Sequence, residues 1–320
     1  MSIKWGIIFP GYGEQFIGMG KDMYDESRVM QEYFEDAAQC LDKNFVKLCF
    51  TSSDKEFFEL ENSTVALYLL GISIAALLKE KGFVPSVVAG YNSGEYAALS
   101  YAGSLTLPDA LYLLRKTATL FQDLMQGKKF LGLRLYDFSY EEVKQLCEKC
   151  SNGNQVSYIS VIENNEQYVV SGTEASIICM EQELKKLKKD KESVSVVGGL
   201  HSPLMDELLK VLKMYLEKVD FHATKIPFIA GVTGQALTDG EAVRAAVMQQ
   251  IHAPIQWKKM MEAFVFCDVI VIAGPSMFLQ QSLQKQYPDK KIMMIKTMEQ
   301  LKEVCAELAV DEQQQVELQK

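Results

Sequence analysis

Short apolar segments of β-type alternate with helical segments along most of the chain, and this alternation limits the fold more than any other feature. The predicted strands cover residues 5–9, 84–89, 156–162, 167–171, 194–197, 227–232, 269–273 and 291–295. The predicted helices cover residues 27–41, 63–81, 94–102, 107–125, 140–149 and 174–190. Strands that alternate with helices are typical of βαβ units, whose strands run parallel. The sequence therefore predicts an α/β fold with a mainly parallel sheet.

The stretch from 127 to 196 has a different order: strand, helix, strand, strand, helix, strand. This split-βαβ pattern can close as a small four-stranded subdomain. We therefore predict a large domain formed by 1–126 and 197–297, an inserted small subdomain at 127–196, and a helical tail at 298–320. The tail is polar and has no clear apolar face with which to pack.

The charge balance and the apolar runs exclude several classes of protein. The chain has 320 residues, with 33 Lys and Arg against 42 Asp and Glu, and a net charge of −9. A duplex-binding protein needs an excess of cations, so we expect no nucleic-acid partner. The N-terminus lacks the apolar run of a signal peptide, and the longest apolar run, 65–78, is shorter than the ~18 residues of a membrane span. We expect a cytoplasmic protein without a membrane partner.

The cysteines give no sign of a metal or redox site. There are seven, an odd number, and most lie in apolar surroundings, which is typical of reduced cytosolic thiols. Cys147 and Cys150 form a C-x-x-C pair in a charged helical stretch, but no second pair follows at zinc spacing. We therefore expect no metal.

A candidate nucleophile elbow lies where an apolar strand runs into a glycine-rich turn and then a helix. In a G-x-S-x-G elbow the central residue sits on a strained turn, and the next backbone N–H faces a developing oxyanion. With Gly90 and Gly94 as the flanking glycines, the central residue is Asn92, and Ser93 comes one position too late. The side chain of Ser93 is expected to turn away, so that this residue would contribute its backbone N–H.

Five sequence blocks resemble those of malonyl-CoA:acyl-carrier-protein transacylases and polyketide-synthase acyltransferases. The blocks are FPGYGEQ at 9–15 with GMG at 18–20, AGYNSGEYAALSYAG at 89–103, VGGLHSPLM at 197–205, PIQW at 254–257 and IAGPSMFL at 272–279. Their order and spacing match the family over about residues 5–295. The resemblance implies an α/β-hydrolase-like large domain with an inserted ferredoxin-like subdomain. It also implies a monomer with no bound cofactor, and an acyl-CoA or phosphopantetheine thioester as substrate or ligand.

This chain departs from the family pattern at four site positions. In the family, the elbow serine takes the acyl group from coenzyme A and passes it to the carrier thiol; here Asn92 stands in its place. Tyr91 replaces the histidine before the serine, and Tyr12 replaces the opening-loop glutamine that helps to form the oxyanion hole. Thr117 stands where an arginine would pair with the malonyl carboxylate. Because four site positions differ together, Asn92 is not a single change in an otherwise ordinary site.

Three residues keep the family's register around the site. His201 matches the catalytic base, and Gln250 matches the glutamine before the tryptophan block. Leu200 lies in the triplet that sets acyl specificity, where Gly199-Leu200-His201 leaves more room beside the acyl group. We therefore take His201, Asn92 and Gln250 as candidate catalytic residues, and as candidate substrate-binding residues we take Tyr12, Tyr91, Ser93, Thr117 and Leu200. A structural role for His201 at the start of a helix remains an alternative.

Two functions follow from this pattern. In the first, the protein is an altered, noncatalytic member that binds an acyl carrier protein or acyl-pantetheine in fatty-acid or polyketide assembly without forming an acyl-enzyme. In the second, it is an acyltransferase or acyl hydrolase in which His201 deprotonates a carrier thiol or a water, with Asn92 and the N–H of Ser93 stabilising the oxyanion. Lys128 and Lys129, near the predicted hinge, are candidates for docking an acidic carrier; a solvated surface is their alternative.

Overall fold

A computed structural model describes residues 3–194 and 199–318 of the chain, with side chains through residue 309. The strands are β1 (Trp5–Phe9), β2 (Val87–Gly90), β3 (Phe130–Tyr136), β4 (Ser157–Ile162), β5 (Gln167–Thr173), β6 (Lys191–Val194), β7 (Phe228–Ile229), β8 (Ala236–Leu237), β9 (Val269–Ala273) and β10 (Lys291–Ile295). The helices are α1 (Lys21–Glu26), α2 (Arg28–Leu41), α3 (Phe45–Thr51), α4 (Asp54–Phe57), α5 (Leu60–Glu80), α6 (Gly94–Ala102), α7 (Leu107–Met125), α8 (Tyr140–Lys149), α9 (Glu174–Leu187), α10 (Asp206–Leu216), α11 (Gly240–His252), α12 (Trp257–Glu262), α13 (Met277–Gln286) and α14 (Met298–Leu318).

A six-stranded sheet forms the centre of the large domain, in the order β10-β9-β1-β2-β7-β8. The pairs from β10 to β7 are parallel, and β8 is antiparallel to β7 at the edge. Every residue of β1 is buried, because helices cover both faces of the sheet, and this explains the continuous apolar run. The predicted α/β fold with a mainly parallel sheet is confirmed.

Helix α5 is the central helix of this domain. By length and composition it could cross a membrane, but 83% of its most apolar window is buried inside the fold, as in a core helix. Its apolar residues pack against α2, α6 and α7 rather than forming one stripe. The cytoplasmic location expected from the sequence stays a prediction.

A second, four-stranded antiparallel sheet has the order β4-β5-β3-β6, with α8 and α9 on it. It has its own apolar core, in which Leu135, Val170 and Met180 are completely buried. Two backbone bonds join it to the large domain: Ile162 N–H donates to Ile255 and Ile255 N–H to Ser160, at 2.8 and 3.0 Å. This sheet lies within the predicted insertion, and the predicted small four-stranded subdomain is present.

Two strands are shorter than predicted. The strand predicted at 84–89 begins only at Val87, because Pro85 has no N–H to donate to a ladder. The strand predicted at 227–232 is limited to Phe228–Ile229, since a turn in which Gly234 N–H donates to Ala230 ends it. Of the strand predicted at 194–197, only Val194 is described, and it is the last residue of β6. Residues 195–197 lie outside the described residues.

The expectation that the tail lacks a packing face is wrong. Leu301, Val304 and Leu308 of α14 are buried against the core of the large domain. Their spacing of three and four residues gives a narrow apolar stripe on an otherwise polar helix. That stripe is enough to dock the first turns of α14 beside β10.

The expectation that all cysteines are free thiols is also wrong. Cys150, just after α8, is joined to Cys179 in α9, with the Cα atoms 5.6 Å apart. The two helices lie side by side on the small sheet, and the sequence carries no signal of that pairing. Cys147 is a free, buried thiol. In the part of the chain that the structure describes, no group of three metal-ligating side chains could hold an ion.

Candidate functional site

Asn92 occupies the strained turn between β2 and α6. Its φ is +55°, in the left-handed region that asparagine tolerates better than most residues. The flanking glycines leave no room for a side chain: a Cβ on Gly90 would lie 2.1 Å from the Glu95 nitrogen, and one on Gly94 would lie 2.1 Å from the Phe9 oxygen. The predicted strand–turn–helix is therefore present, with an asparagine at its centre.

The loop after β1 packs on this turn. The backbone N–H of Tyr12 donates to the hydroxyl of Ser93 at 3.2 Å. Ser93 therefore holds the opening loop with its side chain, as expected for a residue that turns away from the central position of the elbow.

His201 is held beside the turn with one ring nitrogen free. Its backbone has φ +62°, and its Nδ1 lies 2.7 Å from the carbonyl oxygen of Gln250. A carbonyl can only accept, so Nδ1 carries the proton and Nε2 presents a lone pair. Nε2 is buried and has no hydrogen-bond partner among the described residues. Burial lowers the pKa of His201 to about 4, so the ring is neutral at pH 7.

Gln250 connects the histidine to the elbow. Its carbonyl accepts from His201, and its side-chain amide donates to the carbonyl of Asn92 at 3.0 Å. Gln250 is therefore a positioning residue: it sets the tautomer of His201 and fixes the turn. The predicted group of His201, Asn92 and Gln250 is brought together by the fold.

Glu95 is buried directly behind the elbow. Its Oε1 accepts from the N–H of Gly231 at 2.7 Å. Burial raises the pKa of Glu95 to about 8, an effect only partly opposed by the hydrogen bond from Gly231 and by the nearby side-chain amide of Gln250. Sequence reasoning missed this residue, although a glutamate within the apolar start of α6 could have drawn attention to it.

Glu95 makes the stability of the protein depend on pH. Because its folded pKa is raised, the stability it contributes is full below pH 4.5 and is lost as pH rises towards 8. Wild type should lose about 1 to 2 kcal/mol from this group between pH 6.5 and 8. Glu95→Gln keeps an acceptor for Gly231 but cannot ionise, so it should flatten this part of the curve. Urea unfolding of wild type and of Glu95→Gln at several pH values measures how the stability of each protein changes with pH. Equal slopes for the two proteins between pH 6.5 and 8 would contradict a raised pKa at Glu95. The lowered pKa of His201 affects stability only below pH 6.5.

Two adjoining chambers meet at the elbow. The inner chamber is also lined by Leu60, Thr64, Ser93, Tyr96, Leu114, Thr117, Ala118, Gln250 and Ile251. The outer chamber is also lined by Tyr91, Arg134, Ser160, Val161, Val169, Val194 and Ile255. Four residues line both chambers and form their boundary: Tyr12, Asn92, Leu200 and His201. All the candidate catalytic and substrate-binding residues thus lie in one divided cleft.

The outer chamber lies between the large domain and the small sheet. Tyr91 packs there against Trp257 and Phe278, with ring centroids 5.4 Å apart in both pairs. Arg134 stacks over Phe278 and forms ion pairs with Glu163 and Glu192. Sequence reasoning missed Arg134, whose place in an apolar strand was the available signal.

The two candidate docking lysines lie outside the cleft. Neither Lys128 nor Lys129 lines either chamber, and both are exposed between α7 and β3. Lys129 pairs with Glu174 on the surface. They are available to a partner at the surface but do not contact the elbow.

Comparison with known proteins gives consistent matches over nearly the whole chain. A family model described as an acyl transferase domain matches residues 7–306. The malonyl CoA-acyl carrier protein transacylase of Bacillus subtilis is 27% identical over 286 residues, 88% of this chain and 90% of that protein.

Solved structures show the same fold. FabD from Acinetobacter baumannii superposes with a TM-score of 0.90 at 23% identity, over 97% of this chain and 99% of that one. A malonyl-transacylase solved in complex with a type II polyketide-synthase acyl-carrier protein superposes with a TM-score of 0.88 at 22% identity, over 93% and 97% of the two chains. At these identities, the likeness establishes the architecture: a large α/β domain with a small inserted subdomain.

Proposed function

Because the chain belongs to the acyl transferase domain family, we propose that it works with an acyl carrier protein in fatty-acid or polyketide assembly, and that it holds acyl thioesters without forming an acyl-enzyme. The shared family and the name of the Bacillus relative support a carrier protein as partner. The monomeric state belongs to the same proposal.

The observation that carries the proposal is the asparagine at the centre of the elbow. At φ +55° Asn92 stands where the family has its nucleophile, and an amide has no useful nucleophilicity. Removing a nucleophilic serine lowers kcat by roughly 10⁶ in a serine hydrolase. We expect the neighbouring Ser93 not to replace it, because this residue lies one position past the centre of the turn, with its hydroxyl against the backbone N–H of Tyr12. The cleft therefore retains the shape of an acyl site without its covalent step.

The carrier-docking part of the proposal predicts a salt-dependent loss of binding when two lysines are reversed. Lys128→Glu with Lys129→Glu should weaken carrier binding by about 10-fold or more at low salt, because acidic carriers are steered by local positive charge. Isothermal titration calorimetry with holo-carrier at two salt concentrations measures this. The matched control reverses Lys185 and Lys186, an adjacent exposed pair on α9, and should leave binding almost unchanged. Equal losses from both pairs, or none from the first, would rule out docking at Lys128 and Lys129.

The free nitrogen of His201 favours a second candidate function, direct acyl transfer or hydrolysis. Nε2 would take the proton of a carrier thiol or a water while the sulfur or oxygen attacks the thioester carbonyl. The new bond to the carbonyl carbon forms, the old C–S bond breaks, and the proton passes from His201 to the leaving thiolate. The Asn92 amide and the N–H of Ser93 would stabilise the oxyanion. This route either transfers the acyl group to the carrier thiol or releases it as the free acid, and it leaves no adduct on the protein.

A further inference from the structure

The inner chamber is a neutral, largely apolar cavity. Among the described residues that line it there is no Asp, Glu, Lys or Arg. Its walls away from the elbow come from α5 and α7, through Leu60, Leu114 and Ala118, with Ile251 of α11 opposite. Thr117 also lines it from α7, and the ring of His201 at the boundary is neutral.

Helix α7 carries two cations beside Thr117, and neither lines this cavity. Lys116 lies over the rings of Tyr112 and Tyr215. Arg115 is two residues before Thr117, is half exposed, and pairs with Glu61 at 3.6 Å. It does not line the chamber. A carboxylate placed inside would therefore lose its water without gaining a positive partner, which is strongly unfavourable.

The boundary between the chambers indicates how an acyl thioester would lie. His201 Nε2 is an unpartnered, buried lone pair at the boundary, and Asn92 lies there too. A thioester carbonyl at this boundary would extend its acyl chain into the inner chamber. The pantetheine arm would leave through the outer chamber, where Tyr91, Arg134 and Ser160 are found.

From this arrangement we infer that the inner chamber takes the uncharged, aliphatic acyl chain of a thioester and rejects acyl groups that end in a carboxylate. The inference rests on the proposed function, since it names the acyl class held at that same site. Thr117 is the residue that determines this specificity, because it supplies a small neutral wall where a cation would be needed to hold a carboxylate.

The test uses the full-length protein and two stable pantetheine analogues, with an amide in place of the thioester. Butyryl-amino-pantetheine should bind at least about 100-fold more tightly than malonyl-amino-pantetheine, because burying the malonyl carboxylate without a positive partner is unfavourable by several kcal/mol. Calorimetry measures both dissociation constants. Thr117→Arg should reverse the preference, and Thr117→Val, which keeps size and neutrality, should retain it. Thermal melting reports whether each variant folds. The ratio of the two dissociation constants for the wild-type protein tests the inference even if Thr117→Arg does not fold.

The result that overturns the inference is equal or tighter binding of the malonyl analogue, or no binding of either analogue, by the wild-type protein. Holo-carrier binding without an acyl group is measured in parallel. A protein that binds holo-carrier but does not discriminate between the analogues refutes the inference and leaves the proposed function standing. Absence of holo-carrier binding refutes the proposed function instead, and a preference for the butyryl analogue then still supports a neutral acyl chamber.

Discussion

Asn92→Ser is expected to turn the protein into one that is acylated at position 92, slowly and by uncharged donors. The fold already holds that position at φ +55°, with a neutral, unpartnered imidazole nitrogen at the same boundary. The nucleophile is absent, and a serine nucleophile raises kcat by roughly 10⁶ where the rest of the site is complete. Here Tyr12 and Thr117 also differ from the family. We therefore expect the rate of acyl-thioester turnover to rise by ~10³-fold or more over wild type rather than by the full factor. Intact mass after mixing with butyryl-CoA measures the adduct.

Two controls make this expectation sharp. Adding Ser93→Ala to the variant should leave the adduct in place, because the Ser93 hydroxyl lies one position past the centre of the turn, against the backbone N–H of Tyr12. Malonyl-CoA should acylate the variant far more slowly than butyryl-CoA, since Thr117 offers no partner for a carboxylate. Rapid malonylation of Asn92→Ser would show that the site retains the family's malonyl contacts, against the arrangement described above.

The second large effect concerns the backbone contact beneath the elbow. Gly94→Ala should abolish folding or lower the free energy of unfolding by more than ~4 kcal/mol, as severe overpacking does. The added Cβ would lie 2.1 Å from the backbone oxygen of Phe9, and neither β1 nor α6 can move without disrupting the sheet. Urea unfolding and expression level measure the loss.

Gly127→Ala is the matched control for that substitution. Gly127 has φ +73°, and a Cβ there would meet no atom within 4 Å. Gly127→Ala should lower the free energy of unfolding only by the strain of an alanine in the left-handed conformation, about 1 to 2 kcal/mol. A Gly94→Ala protein as stable as the control would mean that β1 and α6 are not held as closely as described.

The large-domain fold followed from the sequence because its signals are local. Strands buried on both faces give continuous apolar runs, and β1, β9 and β10 begin and end where predicted. The insertion was visible as a change in the order of elements. The start of β2 after Pro85 was less predictable, because it depends on which backbone N–H groups pair with a neighbouring strand. The packing of α14 was less predictable too, because its narrow apolar stripe indicates a contact only once the neighbouring elements are known.

The site was predictable in composition but not in shape. Motif spacing was enough to predict Asn92 at the elbow and His201 with Gln250 beside it. The division of the cleft into two chambers arises from residues far apart in sequence, such as Leu60 and Ile251, and so could not be predicted. The same holds for the buried carboxyl of Glu95 and for the pairing of Cys150 with Cys179, which depend on helix packing.

The central claim is that this fold holds acyl thioesters without becoming acylated. Incubating wild-type protein with butyryl-CoA, malonyl-CoA and the matching acyl-carriers, and then recording the intact masses of protein and carrier, tests it most directly. Loss of the acyl group from the acyl-carrier, or its transfer from an acyl-CoA to added holo-carrier, with no adduct on the protein and abolished in His201→Ala, would select hydrolysis or direct transfer over binding alone. The account predicts that the mass of the wild-type protein stays unchanged with every donor. A stoichiometric acyl adduct on the wild-type protein would contradict it.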